Sequence, residues 1–135
     1  MAKPEADDDK TRVWTPPTQS DDKIPKRFQA SVVIVVGYAQ GMEYPLTKNY
    51  SVIGRDADVE VPLKDPLVSR RHAAIVFHEG AFLLKDLEST NGTLMKGALI
   101  QQTDLCHRDK FRIGDTTLQF IVMDTGSGRT YEIGG

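Results

Sequence analysis

Ser31-Val-Val-Ile-Val-Val36 is the stretch from which the architecture is read. Five of its six residues are β-branched, and such residues are stiff at χ1 and fit a pleated strand better than a helix. Because no polar residue alternates with them, the run reads as a strand buried on both faces or nearly so. Short strand-like segments continue outward from it, predicted at 30–36, 42–46, 49–53, 73–78, 81–86, 110–113 and 116–122, with shorter ones near 59–61, 93–95 and 98–100. Turn signals fall between them at Gly37, Gly41, Glu79-Gly80, Asn91-Gly92, Gly97 and Gly114-Asp115. No apolar stripe of helical period interrupts the series, so the expectation is an all-β sandwich of short, mostly antiparallel strands.

With 135 residues, the chain has room for one domain of roughly a hundred residues and for tails. Residues 1–28 are of a different composition: Asp7, Asp8 and Asp9 form an acidic run, Pro16 and Pro17 interrupt regular structure, and few large apolar groups occur. They read as a disordered tail, residues 29–123 as the domain, and residues 124–135, with Thr125-Gly-Ser-Gly128, as a flexible end. A net charge of −2 with mixed signs offers no footprint for nucleic acid or an anionic membrane. The one cysteine, Cys106, cannot form an intrachain disulfide, no apolar run approaches the ~20 residues of a membrane span, and no signal-peptide core is present. A reducing cytoplasm is the compartment expected.

Three motifs mark strand-to-loop boundaries: Gly54-Arg55, Ser69-Arg70-Arg71-His72 and Ser89-Thr90-Asn91-Gly92-Thr93. They bring guanidinium, hydroxyl and amide donors together with almost no carboxylate, a set that suits a dianionic phosphate better than bond cleavage. Gly54 allows a turn or a close backbone approach, and Arg55 projects a planar fork of donors from an anchored strand end. Ser69 and Arg70 can reach one phosphate together, the first as a neutral donor and the second as a charged one. Arg71 should point elsewhere. Gly92 after Asn91 suits positive φ and reads as the hairpin turn.

In these three motifs, in this order and spacing, the chain from about Gln29 to Met123 resembles the forkhead-associated (FHA) domain family. The resemblance implies an FHA-type β-sandwich of about eleven strands whose loops at one end bind phosphothreonine peptides without catalysis. It implies that Arg55, Ser69, Arg70 and Thr90 bind the phosphothreonine and that Asn91 pairs with the peptide backbone. It makes Gly54, His72 and Gly92 structural, and it implies a preference for phosphothreonine over phosphoserine. The partners implied are phosphothreonine-containing proteins and a Ser/Thr protein kinase, with no cofactor.

Two readings from other classes stand beside this one. Ser69 and His72 with Asp65 or Asp86 could form a hydrolase triad, although no strained nucleophile turn is present and guanidinium groups crowd the serine. A phospho-independent scaffold would retain the fold with a vestigial site. His72, His78, Cys106 and His107 lack metal-ligand spacing, so no metal is expected.

The tail holds candidate phosphorylation sites at Thr11 and Thr15, the latter followed by Pro16. Asp7-Asp-Asp-Lys-Thr-Arg-Val-Trp14 sets acidic residues before Thr11 and apolar ones two and three positions after it. That segment resembles the phosphoacceptor tails of certain bacterial FHA signalling proteins, which fold back on their own domain. About nineteen residues between Thr11 and the first predicted strand give a flexible reach of roughly 25 Å.

Overall fold

The computed structural model describes residues 22–125 and the short segment 131–132. Among the described residues there is no helix. The described residues form twelve strands: β1 (Phe28–Val36), β2 (Glu43–Leu46), β3 (Tyr50–Gly54), β4 (Val61–Pro62), β5 (Ala73–His78), β6 (Ala81–Asp86), β7 (Thr93–Met95), β8 (Ala98–Ile100), β9 (Gln102–Leu105), β10 (Lys110–Ile113), β11 (Thr116–Asp124) and β12 (Tyr131–Glu132). They make a seven-stranded sheet in the order β2-β1-β11-β10-β7-β8, with β12 also on β11, and a five-stranded sheet in the order β4-β3-β5-β6-β9. Every pairing is antiparallel except β3 with β4.

The period of two fixes which side chains meet between the sheets. Strand β11 buries Thr116, Leu118, Phe120 and Val122 while Thr117, Gln119 and Ile121 stay half-exposed. Opposite them, Ile53, Ala73, Ile75, Phe82 and Leu84 of the five-stranded sheet complete the core. Strand β1 alternates too: Ala30, Val32 and Ile34 face inward, whereas Val33 and Val35 are partly exposed. The expectation of burial on both faces is corrected here, since valines on the outward face hid the alternation.

Four other features differ from expectation. Strand β9 was missed because Gln102-Thr-Asp carries no apolar run; it is an edge strand, joined to the sheet through β6 alone. The segment expected near 59–61 is instead β4 at Val61–Pro62. Residues 22–28 belong to the folded unit rather than to a tail. The Asn49 N–H donates to Asp22 O at 2.6 Å, the Ile24 N–H donates to Thr47 O at 2.8 Å, and the Ile24 side chain joins the core. Arg27 also pairs with Asp124 at 2.7 Å. At the other terminus, β12 places a short strand within 124–135. Residues 1–21, which include Thr11 and Thr15, lie outside the described residues.

The ends of β3, β4 and β6 and the starts of β5 and β7 lie together, so segments 55–60, 63–72 and 87–92 share one end of the sandwich. The three motifs fall on these segments.

Candidate functional site

Gly54 closes β3 against the neighbouring loop. A Cβ at this position would collide with the Arg70 carbonyl oxygen, and contact with that backbone, not a turn or a ligand, is what requires glycine here. Beyond it, Arg55 and Asp56 run beside the loop: the Arg55 N–H donates to Ser69 O at 3.0 Å and the Asp56 N–H to Arg70 O at 3.2 Å. The first and second motifs are therefore laced together by backbone before any side chain is considered.

The Arg55 side chain is fixed at its root, where Nε donates to Val68 O at 2.9 Å. Arginine has five donors in a rigid fork, so this bond orients the plane and leaves the two terminal amino groups for another acceptor. Arg55 is exposed. Beside it, Ser69 Oγ accepts the Thr90 N–H at 3.0 Å, which joins the third motif to the second. That bond uses a lone pair of the hydroxyl and leaves its proton free to donate. Arg70 and Thr90 are exposed on the same loops. Arg71 points elsewhere, close enough to Tyr50 to act on it: burial raises the Tyr50 pKa, and the Arg71 charge partly offsets the rise.

His72 is fully buried and both ring nitrogens are occupied. Nδ1 accepts the Ser69 N–H at 3.0 Å, so the ring proton resides on Nε2, which donates to Gly92 O at 2.8 Å. This arrangement opposes a triad. The ring contacts the serine's backbone rather than its hydroxyl, and no ring lone pair remains to take a proton.

The third motif is moulded by Asp86, whose carboxylate accepts Ser89 N–H, Ser89 Oγ and Thr93 Oγ1 at 3.1, 2.6 and 2.7 Å. Ser89 Oγ in turn accepts the Gly92 N–H at 2.9 Å. Gly92 has φ +86°, a conformation that calls for glycine; its missing Cβ would meet only the tip of the exposed Leu99 side chain, which can turn away. The Asn91 amide donates to Leu67 O at 2.8 Å, an internal bond that leaves Oδ1 and one N–H for a partner.

Asp65 is the residue that sequence reasoning missed, having entered there only as a triad alternative. Fully buried, it accepts the Leu67 N–H at 2.9 Å, the Asp115 N–H at 2.8 Å and Thr116 Oγ1 at 2.9 Å. Burial alone would raise its pKa, but these hydrogen bonds more than offset that and hold it below the ordinary carboxylate range. Its place before Pro66 is a turn signal, which was the available clue.

A two-sheet sandwich that presents fixed arginine, hydroxyl and amide groups on loops at one end, around a histidine with no free lone pair, defines a recognition module. The FHA domain family model matches residues 51–114, and the chain belongs to that family. It is similar to the FHA domain-containing protein FhaA of Mycobacterium tuberculosis, 36% identical over 88 residues that make up 65% of this chain and 17% of FhaA. It is 32% identical over 92 residues to the glycogen accumulation regulator GarA of Mycolicibacterium smegmatis, which is 68% of this chain and 58% of GarA. A solved structure from an analysis of phosphothreonine-dependent FHA domain interactions superposes with a TM-score of 0.63 at 32% identity, covering 69% of this chain and 95% of that one. The chain thus spans about half of GarA and a small part of FhaA.

Proposed function

We propose that this chain is a non-catalytic signalling module that binds phosphothreonine peptides at the loop end of its sandwich. One observation carries the reading: Arg55 is latched by Nε to Val68 O while Ser69 Oγ, held by the Thr90 N–H, keeps a donatable proton beside it. Phosphorylation adds a charge of about −1.5 to −2 and three strong acceptor oxygens, the complement of those donors. Thr90 and Arg70 add a hydroxyl and a second charge, and Asn91 offers its remaining amide groups to the peptide backbone. The similar solved structure described in terms of phosphothreonine dependence supports this choice of ligand. Calorimetry with a threonine peptide in phosphorylated and unmodified forms tests it. The phosphopeptide should bind and the unmodified peptide should not, and equal affinities would overturn the reading.

The same reading makes the chain a switch in a Ser/Thr kinase pathway, with Thr11 as the phosphoacceptor and Thr15 as the alternative. Phosphorylated Thr11 would occupy the chain's own site. The tether is shorter than nineteen residues, since the chain is held at Asp22, eleven residues after Thr11. Eleven residues have a flexible reach of ~18 Å and an extended limit of ~37 Å. The path from Asn49 to Arg55 along β3 is ~20 Å, so the site is within reach. A tethered ligand at roughly millimolar effective concentration would exclude free partners by up to about a thousandfold for a micromolar site. NMR of the Thr11-phosphorylated chain should show the amides of Arg55, Ser69 and Asn91 moving, with Arg55→Ala abolishing the change. Such a switch acts where kinases act, in the cytoplasm. No helix among the described residues is long and apolar enough to cross a membrane.

A further inference from the structure

The outward face of the seven-stranded sheet carries a groove that the phosphate-reading loops do not touch. It measures about 390 Å³ and is lined by Gln29, Ser31, Pro45, Thr47, Ile121 and Met123, among others. Strand register explains its shape. Pro45, Ser31 and Ile121 stand in one row across β2, β1 and β11, and Gln29 and Met123 form the next row. Pro45 is exposed and Ile121 and Met123 are half-exposed, so an apolar strip faces outward. Glu43 borders it, accepting Ser31 Oγ at 2.8 Å. In Glu43's own row, beyond Val33 and Gln119, lies the exposed Lys110.

The chain enters the fold beside this groove. Asp22 and Ile24 bond to Asn49 and Thr47, and Thr47 lines the groove itself. Twenty-one residues precede Asp22, and within them Val13-Trp14 is the adjacent pair of large apolar side chains. Trp14 lies eight positions before Asp22, enough to extend ~27 Å. The groove spans two strand spacings, ~10 Å. The order of charges fits as well. Arg12 precedes the apolar pair as Glu43 borders the apolar strip, and Asp7, Asp8 and Asp9 lie further along the chain as Lys110 lies further across the sheet.

We propose that this groove is the docking place of the chain's own Arg12-Val13-Trp14 segment when Thr11 is unphosphorylated. Trp14 packs on Pro45, Ile121 and Met123, and Arg12 meets Glu43. A tryptophan can bury on the order of 150–250 Å², and tethering makes even a weak contact effective. Docking requires none of Arg55, Ser69, Arg70 or Asn91, so it stands or falls separately from the phosphate-site reading.

Trp14 is the single tryptophan of the chain, so its fluorescence reports on docking directly. In the unphosphorylated 135-residue chain its emission should lie to the blue of that of a peptide of residues 1–21, and acrylamide should quench it several-fold less. Ile121→Arg should return both properties to the peptide's values. As a second arm that does not disturb the sheet, Trp14→Ala should shift the amides of Ser31, Ile121 and Met123 in NMR spectra. Emission and quenching equal to the free peptide's, or unmoved sheet amides in Trp14→Ala, would overturn the proposal. A protection of Trp14 that vanishes on dilution would also overturn it, because the occupant would then be the tail of a second copy.

Discussion

The ring of His72 accepts the backbone N–H of Ser69 at 3.0 Å, and its other nitrogen donates to Gly92 O, so one buried side chain pins the second and third motifs to each other. Replacing it by leucine leaves a backbone donor and a backbone acceptor unpaired in the interior. Each orphaned group costs about 1–3 kcal/mol, so His72→Leu should lower unfolding free energy by roughly 2–5 kcal/mol. Urea denaturation measures the loss, and phosphopeptide titration at a temperature where the variant remains folded should show weakened binding. Unchanged stability would mean that the ring does not brace the loops.

Arg55 can do two things with one guanidinium: Nε holds the loop through Val68 O, and the terminal groups of this exposed side chain are left for another acceptor. Lysine has the charge but not the fork. Arg55→Lys should therefore fail to restore binding, losing about 1.5–3 kcal/mol, while Arg55→Ala loses about 2–5 kcal/mol. Calorimetry of the three proteins against one phosphopeptide decides the matter. Wild-type affinity in the lysine variant would show that only charge is read.

Gly54→Ala tests a steric demand rather than a chemical one. The added methyl would meet the Arg70 carbonyl, a backbone atom that cannot rotate away, so the end of β3 and the Ser69-Arg70 loop must separate. Forcing extra volume into a packed contact costs typically about 1–3 kcal/mol and sometimes more. The expected outcome is a lower melting temperature with displaced Arg55 and Ser69 amides in NMR spectra. Gly97→Ala is the comparison for positive φ without crowding, since nothing lies within 4 Å of its missing Cβ.

The site was legible in the sequence where chemistry is carried by residue type and order. Gly54-Arg55, Ser69-Arg70 and Thr90-Asn91 are donor-rich at strand ends, and the fold brings those ends together. Strands β5, β6 and β10 were legible because each carries apolar residues and adjoins a turn signal at one end, Glu79-Gly80 for β5 and β6 and Gly114-Asp115 for β10. Asp65 could not be read, because its three donors come from Leu67 and from a turn some fifty residues away. Nor could the docking of Asp22 and Ile24, which depends on one isoleucine finding a gap beside Thr47 in a stretch whose composition is otherwise polar.

Asp65 also sets an expected response to pH. Its carboxyl is buried, yet hydrogen bonds from Leu67, Thr116 and Asp115 keep its folded-state pKa below the ordinary value. A depressed pKa contributes stability that is present above the unfolded-state value and lost as pH falls through the folded-state one. Glu60 behaves alike: burial pushes its pKa up, but hydrogen bonds from the Val52 N–H and Lys48 Nζ bring it below the ordinary value. Wild-type stability should therefore decline as pH drops below about 4. Asp65→Asn should flatten part of that decline and cost about 1.5–3 kcal/mol near neutral pH, where the charged acceptor is lost. The two carboxylates differ in what else they hold. Leu67, whose N–H bonds to Asp65, offers its carbonyl to Asn91, so Asp65→Asn should also weaken phosphopeptide binding. Glu60→Gln, which touches β3 and Lys48 instead, should lower stability and leave affinity nearly unchanged. Urea denaturation between about pH 3 and pH 7, with calorimetry at neutral pH, separates the two effects. Equal affinities for the two variants would show that Asp65 stabilises the sandwich without positioning its loops.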